Sequence, residues 1–246
     1  MKLYGRNPVI ERLRFNPNSV IKIYLQEGLR KAGYIRQRAK KFGIPLFTVP
    51  KSKIQKIARN ANTQGIVMQV EEFFYVEYRQ LIEESRAKKR TVFFLDGIND
   101  PQNLGSIIRS LACLGKFAIV IPKHKAVAVT ETVLRVAAGG DNFVSIARVG
   151  NLRQSIQTAK DEGYWIAGSV IRSGQSIYET TFPYPLGVLI GSEQKGIRDV
   201  FLPLLDMSIT IPMAAETLSF NVSQATTLFC YEIMKQKRAY EQKKEK

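Results

Sequence analysis

The sequence predicts an α/β protein in two parts: a small amino-terminal α/β unit, then a larger domain built on a parallel sheet. Three observations carry this. From Thr91 onward, short apolar strands alternate with amphipathic helices. Strands such as VFFL (92–95) and FAIVI (117–121) are apolar on both faces, as in a sheet covered by helices on each side. The charge is also segregated along the chain. Residues 1–60 hold 15 Lys/Arg against 2 Asp/Glu, residues 61–234 hold 16 against 17, and residues 235–246 hold 6 against 2. The net charge of +16 therefore belongs to the two ends.

In the first unit, Val20–Leu25 reads as a strand, Arg30–Phe42 as a basic helix and Pro45–Val49 as a strand. Lys51–Asn60 follows as a second helix and Gly65–Val70 as a further strand. Glu71–Arg90 is dense in charge and predicts a helix within a linker. The expected organisation is a first domain over 1–75, a charged linker over 76–90, a second domain over 91–236 and a basic tail over 237–246. In the second domain the expected strands are Thr91–Asp96, Phe117–Ile121, Tyr164–Ser169, Val188–Ile190 and Ser208–Ile211. The expected helices are Leu104–Leu114, Thr130–Ala138, Leu152–Asp161 and Val222–Lys235. Leu104, Ile107, Ile108, Leu111 and Leu114 repeat at helical spacing and should face the sheet. Val222–Lys235 is more apolar than a solvent-facing helix needs, which fits either a core or an interface.

Composition excludes several function classes. No apolar run is long enough to span a bilayer, and MKLYGRNPVIERL lacks the apolar stretch of a signal peptide. Cys113 and Cys230 both lie among apolar neighbours and read as buried thiols rather than a disulfide. The single histidine, His124, cannot complete a zinc site with them. A reducing, cytoplasmic setting is expected, with no metal and no membrane. The basic end domain predicts a polyanionic partner, RNA foremost; a lysine-rich face that only keeps the chain in solution is the plainer alternative.

Open α/β sheets bind ligands at the carboxyl ends of their strands. Three polar, glycine-bearing segments follow strands in that manner: LDGINDPQNLGSIIRS (95–110), IGSEQKGI (190–197) and IPMAAETLSFNVSQA (211–225). Each has a plain reading. Asp100 can cap the helix that follows, Gly191 and Gly196 can be loop glycines, and Ser219 and Asn221 can cap the last helix. None of the three contains a GxGxxG or GxxxxGK[ST] fingerprint, so a nicotinamide-dependent oxidoreductase loses its main support.

In order and spacing the three segments resemble the signature motifs of the SpoU/TrmH family of RNA 2′-O-ribose methyltransferases, in the SPOUT superfamily. Within that family the chain resembles the branch acting on guanosine of 23S ribosomal RNA. Asn103 and Arg109 match the first motif, Gly191, Glu193 and Gly196 the second, and Ile211, Pro212, Met213, Ser219, Asn221 and Ser223 the third. Gly5-Arg6-Asn7-Pro8-Val9 and Gln64-Gly65-Ile66-Val67 resemble the ends of the family's ribosomal-protein-like substrate-binding domain. The family's usual Leu is Phe220 here, Glu216 stands where small residues are common, and Gln102 and Gln224 also depart from frequent choices.

The resemblance implies an α/β trefoil knot, a homodimer, S-adenosylmethionine as methyl donor and an RNA ribose as acceptor. It assigns the critical role to Arg109. A guanidinium is a poor base, so it would act through the substrate phosphate or by stabilising the developing alkoxide. Asn103 would position Arg109 or the ribose, Glu193 would orient Arg109 or bind substrate, and Ser219 and Asn221 would hold the ribose. Gly191, Ile211, Met213 and Phe220 are the expected cofactor residues, with Ser169 and Gly168 after a neighbouring strand. Ribosomal RNA is favoured over transfer RNA. A non-catalytic RNA-binding or ribosome-assembly protein with a vestigial methyltransferase fold is the alternative of a different class.

Overall fold

The computed structural model describes residues 1–30, 32–59, 61–215 and 218–244. Glu216 lies outside the described residues, as do Lys31 and Asn60 within the two helices expected near them. The first unit contains β1 (Lys2–Tyr4), α1 (Arg6–Phe15), β2 (Val20–Gln26), α2 (Gly33–Lys41), β3 (Leu46–Val49), α3 (Lys51–Ile57) and β4 (Ile66–Val70). Its sheet has the order β1-β4-β2-β3. α4 (Tyr78–Ala87) leads into β5 (Thr91–Leu95), α5 (Pro101–Leu114), β6 (Phe117–Pro122), α6 (Glu131–Ala137), β7 (Ser145–Val149) and α7 (Leu152–Asp161). β8 (Trp165–Ser169), β9 (Gln175–Ser176), β10 (Leu186–Ile190), β11 (Met207–Thr210) and α8 (Val222–Lys244) complete the chain.

The large sheet has the order β7-β6-β5-β10-β8-β11-β9 and its strands pair in parallel. Alternate residues of each strand enter opposite layers, as a period of two requires. Phe93, Leu95, Ile119 and Val188 join Leu104, Ile107, Ile108 and Leu111 of α5 and Phe229, Cys230 and Ile233 of α8 in one core. Val92, Phe94, Val120 and Leu189 join Leu81 and Ile82 of α4 and Ile156 of α7 in the other. The helices start where capping chemistry places them. Asp100 Oδ1 accepts from Gln102 N at 2.8 Å, with Pro101 at the first helical position, and Asn151 Oδ1 accepts from Gln154 N at 3.1 Å.

Several expectations are corrected. The charged stretch before β5 contains the expected helix: α4 is capped by Glu77, and it lies under the sheet. The basic tail begins inside α8, which runs to Lys244, and Lys237 within it is buried. β1, α1, β7 and β9 were not expected; β1 and β9 are too short to carry a period, and α1 has Pro8 in its first turn, where the missing N–H is tolerated. Cys113 is exposed on the outer side of α5, whereas Cys230 is buried as expected, and both thiols are free. Leu114 is only half-buried, while the other four apolar positions of α5 are fully buried.

The two units share a core rather than meeting through a flexible tether. Leu3, Val9 and Leu13 belong to the same apolar cluster as the α5 and α8 layer. Around that seam Arg12 pairs with Asp141, both almost fully buried. Lys2 N donates to Glu131 Oε1 at 2.7 Å, and Arg135 Nη1 donates to the Tyr4 hydroxyl at 2.6 Å. Burial pushes the Asp141 carboxyl above the usual carboxylate range, outweighing the opposing pull of Arg12.

Candidate active site

Strand order assembles the site. β5, β10, β8 and β11 are consecutive in the sheet, and their last residues lie in one row: Leu95 beside Ile190, Ile190 beside Ser169, Ser169 beside Ile209. The three segments singled out in the sequence leave this one edge, and Ser169 sits half-buried among them.

The first two loops are bonded to each other. Asn103, in the first turn of α5 and 8% exposed, donates its Nδ2 to the Glu193 carboxylate 90 residues away. Asp96, just past β5 and 3% exposed, receives Arg198 at both oxygens, at 2.6 and 2.7 Å. This fork is the strong bidentate form of the carboxylate–guanidinium pair. Neither Asp96 nor Arg198 was singled out in the sequence; an aspartate followed by glycine at a strand's carboxyl end was the available signal for the first of them. Between these ties the second loop folds back on itself, with Ser192 N donating to Gly196 O at 3.1 Å and Gly196 N to Ser192 O at 2.8 Å. A Cβ on Gly191 would lie 2.1 Å from the Gly196 carbonyl carbon and 2.3 Å from Ile197 N, so the fold-back admits only glycine at 191. Gly105 serves a similar purpose within α5, where a Cβ would lie 2.6 Å from Val136 Cβ of α6.

In the third loop Ile211 is buried, Met213 half-buried, and Ser219 and Phe220 exposed. Asn221 caps α8: its Oδ1 accepts from Ser223 N at 2.8 Å, while Gln224 Oε1 accepts from Asn221 N at 3.2 Å. The two bonds form a variant of the capping box, with Asn221 capping the second helical N–H and Gln224 reaching back to Asn221 N, so the plain reading of Asn221 and the departure at Gln224 have one explanation. Asp100 likewise caps, as its plain reading had it.

Arg109 is exposed, six residues beyond Asn103 on α5. That spacing places it about 9 Å further along the axis and roughly 120° around it. Among the described residues no hydrogen bond joins Arg109 to Asn103 or Glu193, which bond each other instead. The neighbouring Ser110 accepts from Thr227 Oγ1 of α8 at 2.8 Å, so Arg109 stands beside the seam with the helix that Asn221 opens. Gly140 packs against the Arg109 Cα and fixes that stretch of helix from the other side. His124 is exposed on the loop after β6, outside these three loops. Gly168 is buried within β8, facing Leu205 and Ile197.

The amino-terminal unit presents a different surface. Arg14 lies over the Phe15 ring at 5.1 Å, Arg38 over Phe42 at 4.6 Å, and Tyr24 stacks on the exposed Phe47 at 5.6 Å. Cations interleaved with open aromatic faces suit a phosphate backbone with unstacked bases.

Residues 90–231 match the SpoU rRNA methylase family, and residues 2–76 match the RNA 2′-O-ribose methyltransferase substrate-binding family. The chain belongs to the SpoU family. It is an RNA methyltransferase by family, similar over its whole length to proteins assigned by name to the TrmH family of tRNA/rRNA methyltransferases. One from Staphylococcus haemolyticus is 35% identical over 239 residues, spanning 96% of this chain and 95% of the relative. One from Staphylococcus epidermidis is 35% identical over 245 residues, spanning 98% of each. The SpoU methyltransferase AviRb of Streptomyces viridochromogenes, crystallised with AdoMet, shares the fold at a TM-score of 0.77 and 20% identity, covering 96% of this chain and 90% of its own. An AdoMet-bound rRNA methyltransferase from Sinorhizobium meliloti does so at 0.78 and 20%, covering 94% and 85%. The fold expected from the SpoU/TrmH resemblance, a SPOUT-type α/β domain behind a small substrate-binding domain, is therefore the fold observed.

Proposed function

We propose that this SpoU-family protein transfers the methyl group of S-adenosylmethionine to the ribose 2′-hydroxyl of a guanosine in large-subunit (23S) ribosomal RNA. The observation that carries this reading is the junction of the first two loops. Asn103–Glu193 and Asp96–Arg198 tie the first two loops together at the sheet edge from which the third loop also leaves. The cofactor fits this edge. Gly191 keeps the backbone of 190–197 tightly folded without a side chain in the way, and the segments leaving the same edge carry Met213, Phe220 and Ser169, a thioether, an aromatic face and a hydroxyl suited to the cofactor. When bound, S-adenosylmethionine supplies an electrophilic methyl group and requires no metal.

This chain's own residues then have three tasks. Arg109, exposed and bonded to no protein group among the described residues, is open to a substrate phosphate and to the charge that develops on the 2′-oxygen. Asn103 and Glu193 act as a pair, positioning the loop edge rather than Arg109 itself. Ser219 offers a hydroxyl for the ribose, and Asn221, its Oδ1 engaged in the cap, offers its amide N–H groups. Alignment of the acceptor oxygen is the main contribution expected of such groups.

We also propose a homodimer, a trefoil-knotted carboxyl-terminal segment and a cytoplasmic setting. Phe220, Leu228 and Tyr231 are exposed on or beside α8 next to Arg109's helix, which supports a partner covering that face. The exposed free thiol of Cys113 suits a reducing compartment. The domain limits 1–75, 76–90, 91–236 and 237–246 stand as functional divisions, with binding in the first and chemistry in the third. Tritiated methyl transfer to separated ribosomal and transfer RNA, followed by mapping of the modified nucleotide, tests the reading. A 2′-O-methylguanosine in 23S RNA is expected. Methylation confined to transfer RNA would overturn the substrate assignment, and no methylation of either would favour a vestigial enzyme.

A further inference from the structure

A cavity of about 670 Å³ lies at the opposite edge of the large sheet, where β5 and β10 begin rather than end. The end of α4, the segment entering β10 and the last turns of α8 enclose it. Its walls divide into two kinds. Phe182, Tyr184 and Tyr240 give it aromatic surface; Arg86, Lys89, Arg90 and Lys237 give it positive charge, against one carboxylate among the described residues, Glu241, that Lys116 engages.

Lys237 is the unusual member. It is 9% exposed, and its ammonium donates to the Lys89 carbonyl at 2.9 Å and to Thr91 Oγ1 at 3.0 Å, while lying 4.7 Å from the centre of the Tyr184 ring. Among the described residues no carboxylate pairs with it, because the nearby Glu241 is held by Lys116 at 2.5 Å. Burial, reinforced by Lys116, lowers its ammonium to about 8. A buried cation with no counter-ion is costly unless something else supplies the negative charge. Ser85 also borders the cavity; it is fully buried, and its Oγ has no hydrogen-bond partner among the described residues. The site is separate from the catalytic loops by the length of β5, roughly 15 Å.

We propose that this cavity is a second ligand site that takes a nucleotide, its phosphate on Lys237, Arg86 and Lys89 and its base against Tyr184 and Tyr240. The charge is complementary to a phosphate monoester, and the ring faces suit a planar base, which stacks without regard to its identity. A free nucleotide and the phosphorylated end of an RNA strand share this chemistry. The proposal does not depend on the methyl-transfer reading, since it uses none of the residues assigned to it.

Calorimetric titration of the full chain with uridine monophosphate, with S-adenosylhomocysteine saturating any cofactor site, tests it. Binding is expected, with uridine alone and inorganic phosphate alone each at least about tenfold weaker. An Arg86→Gln/Lys89→Gln variant, altered only at exposed positions, should weaken binding about tenfold or more, as should Lys237→Met if it folds by circular dichroism. A 5′-phosphorylated trinucleotide that competes with uridine monophosphate supports the site and assigns an RNA end as its source; failure to compete, with the mononucleotide still bound, supports it with a free nucleotide as source. No binding of uridine monophosphate, equal binding of uridine or phosphate, or affinity unchanged in Arg86→Gln/Lys89→Gln would each overturn the proposal. Methyl transfer measured in parallel is expected to persist in the variants.

Discussion

The amino-terminal unit and the large domain solve different problems with different means. Residues 1–60 carry a balance of 15 basic to 2 acidic side chains, mostly at exposed helical positions such as Lys40, Lys41 and Lys53. Arg12, Arg38 and Lys2 are tied to protein groups, but most of the others stand exposed, so the surface works through summed charge. The large domain is close to neutral over 61–234, and its candidate site depends on a few contacts that admit no substitute: Asn103 on Glu193, Asp96 on Arg198, and the missing Cβ of Gly191. Distributed charge tolerates change and decays with salt. Loop geometry tolerates little and responds weakly to salt. The shared core and the buried Arg12–Asp141 pair join the two units.

The sharpest way to break this contrast is Arg109→Ala. Loss of methyl transfer by about 10²–10³-fold is expected, with RNA affinity in filter binding changed by less than about twofold. A mutant that methylates at the wild-type rate would remove Arg109 from the chemistry. Next in size is Arg12→Met, which leaves the Asp141 carboxylate buried without its partner. Urea unfolding should show a loss on the order of 3 kcal/mol, and adding Asp141→Leu should restore much of it. An unchanged midpoint in Arg12→Met would mean the seam does not couple the units. Gly191→Ala should come third: the Cβ forces the 190–197 fold-back open, and S-adenosylmethionine affinity by calorimetry should fall about tenfold to a hundredfold. Wild-type affinity would show that the cofactor does not use that loop. The smallest effect is expected from Lys40→Gln/Lys41→Gln/Lys53→Gln. RNA affinity should drop several-fold at low salt, and the slope of log K against log salt should flatten by about 0.7 for each phosphate no longer neutralised. A steeper fall in methyl-transfer rate at saturating RNA would blur the division between the two regions.

Much of this is legible in the chain. Both-face-apolar strands and the α5 repeat of Leu104, Ile107, Ile108 and Leu111 announce a covered parallel sheet, because burial imposes its period on local sequence. Asp100 and Asn221 are visible as caps for a related reason: a cap forms between residues two or three apart. What escapes is short or long-range. β1 and β9 are too brief to show a period, and Cys113 has apolar neighbours in sequence but points away from the core on its helix. The α4 segment reads as linker because its charges are conspicuous, while the two apolar residues that dock it, Leu81 and Ile82, are not.

The sequence by itself determined the fold class, the division of charge and, through the resemblance of its three loop segments, the family. Tertiary structure decided how those loops meet. That β10 pairs with β5, that Asn103 bonds Glu193 rather than Arg109, and that Arg198 finds Asp96 are pairings across 90 to 102 residues. No local pattern encodes them. They follow from which strands can be neighbours once both faces of the sheet are covered, and that constraint exists only in the packed molecule.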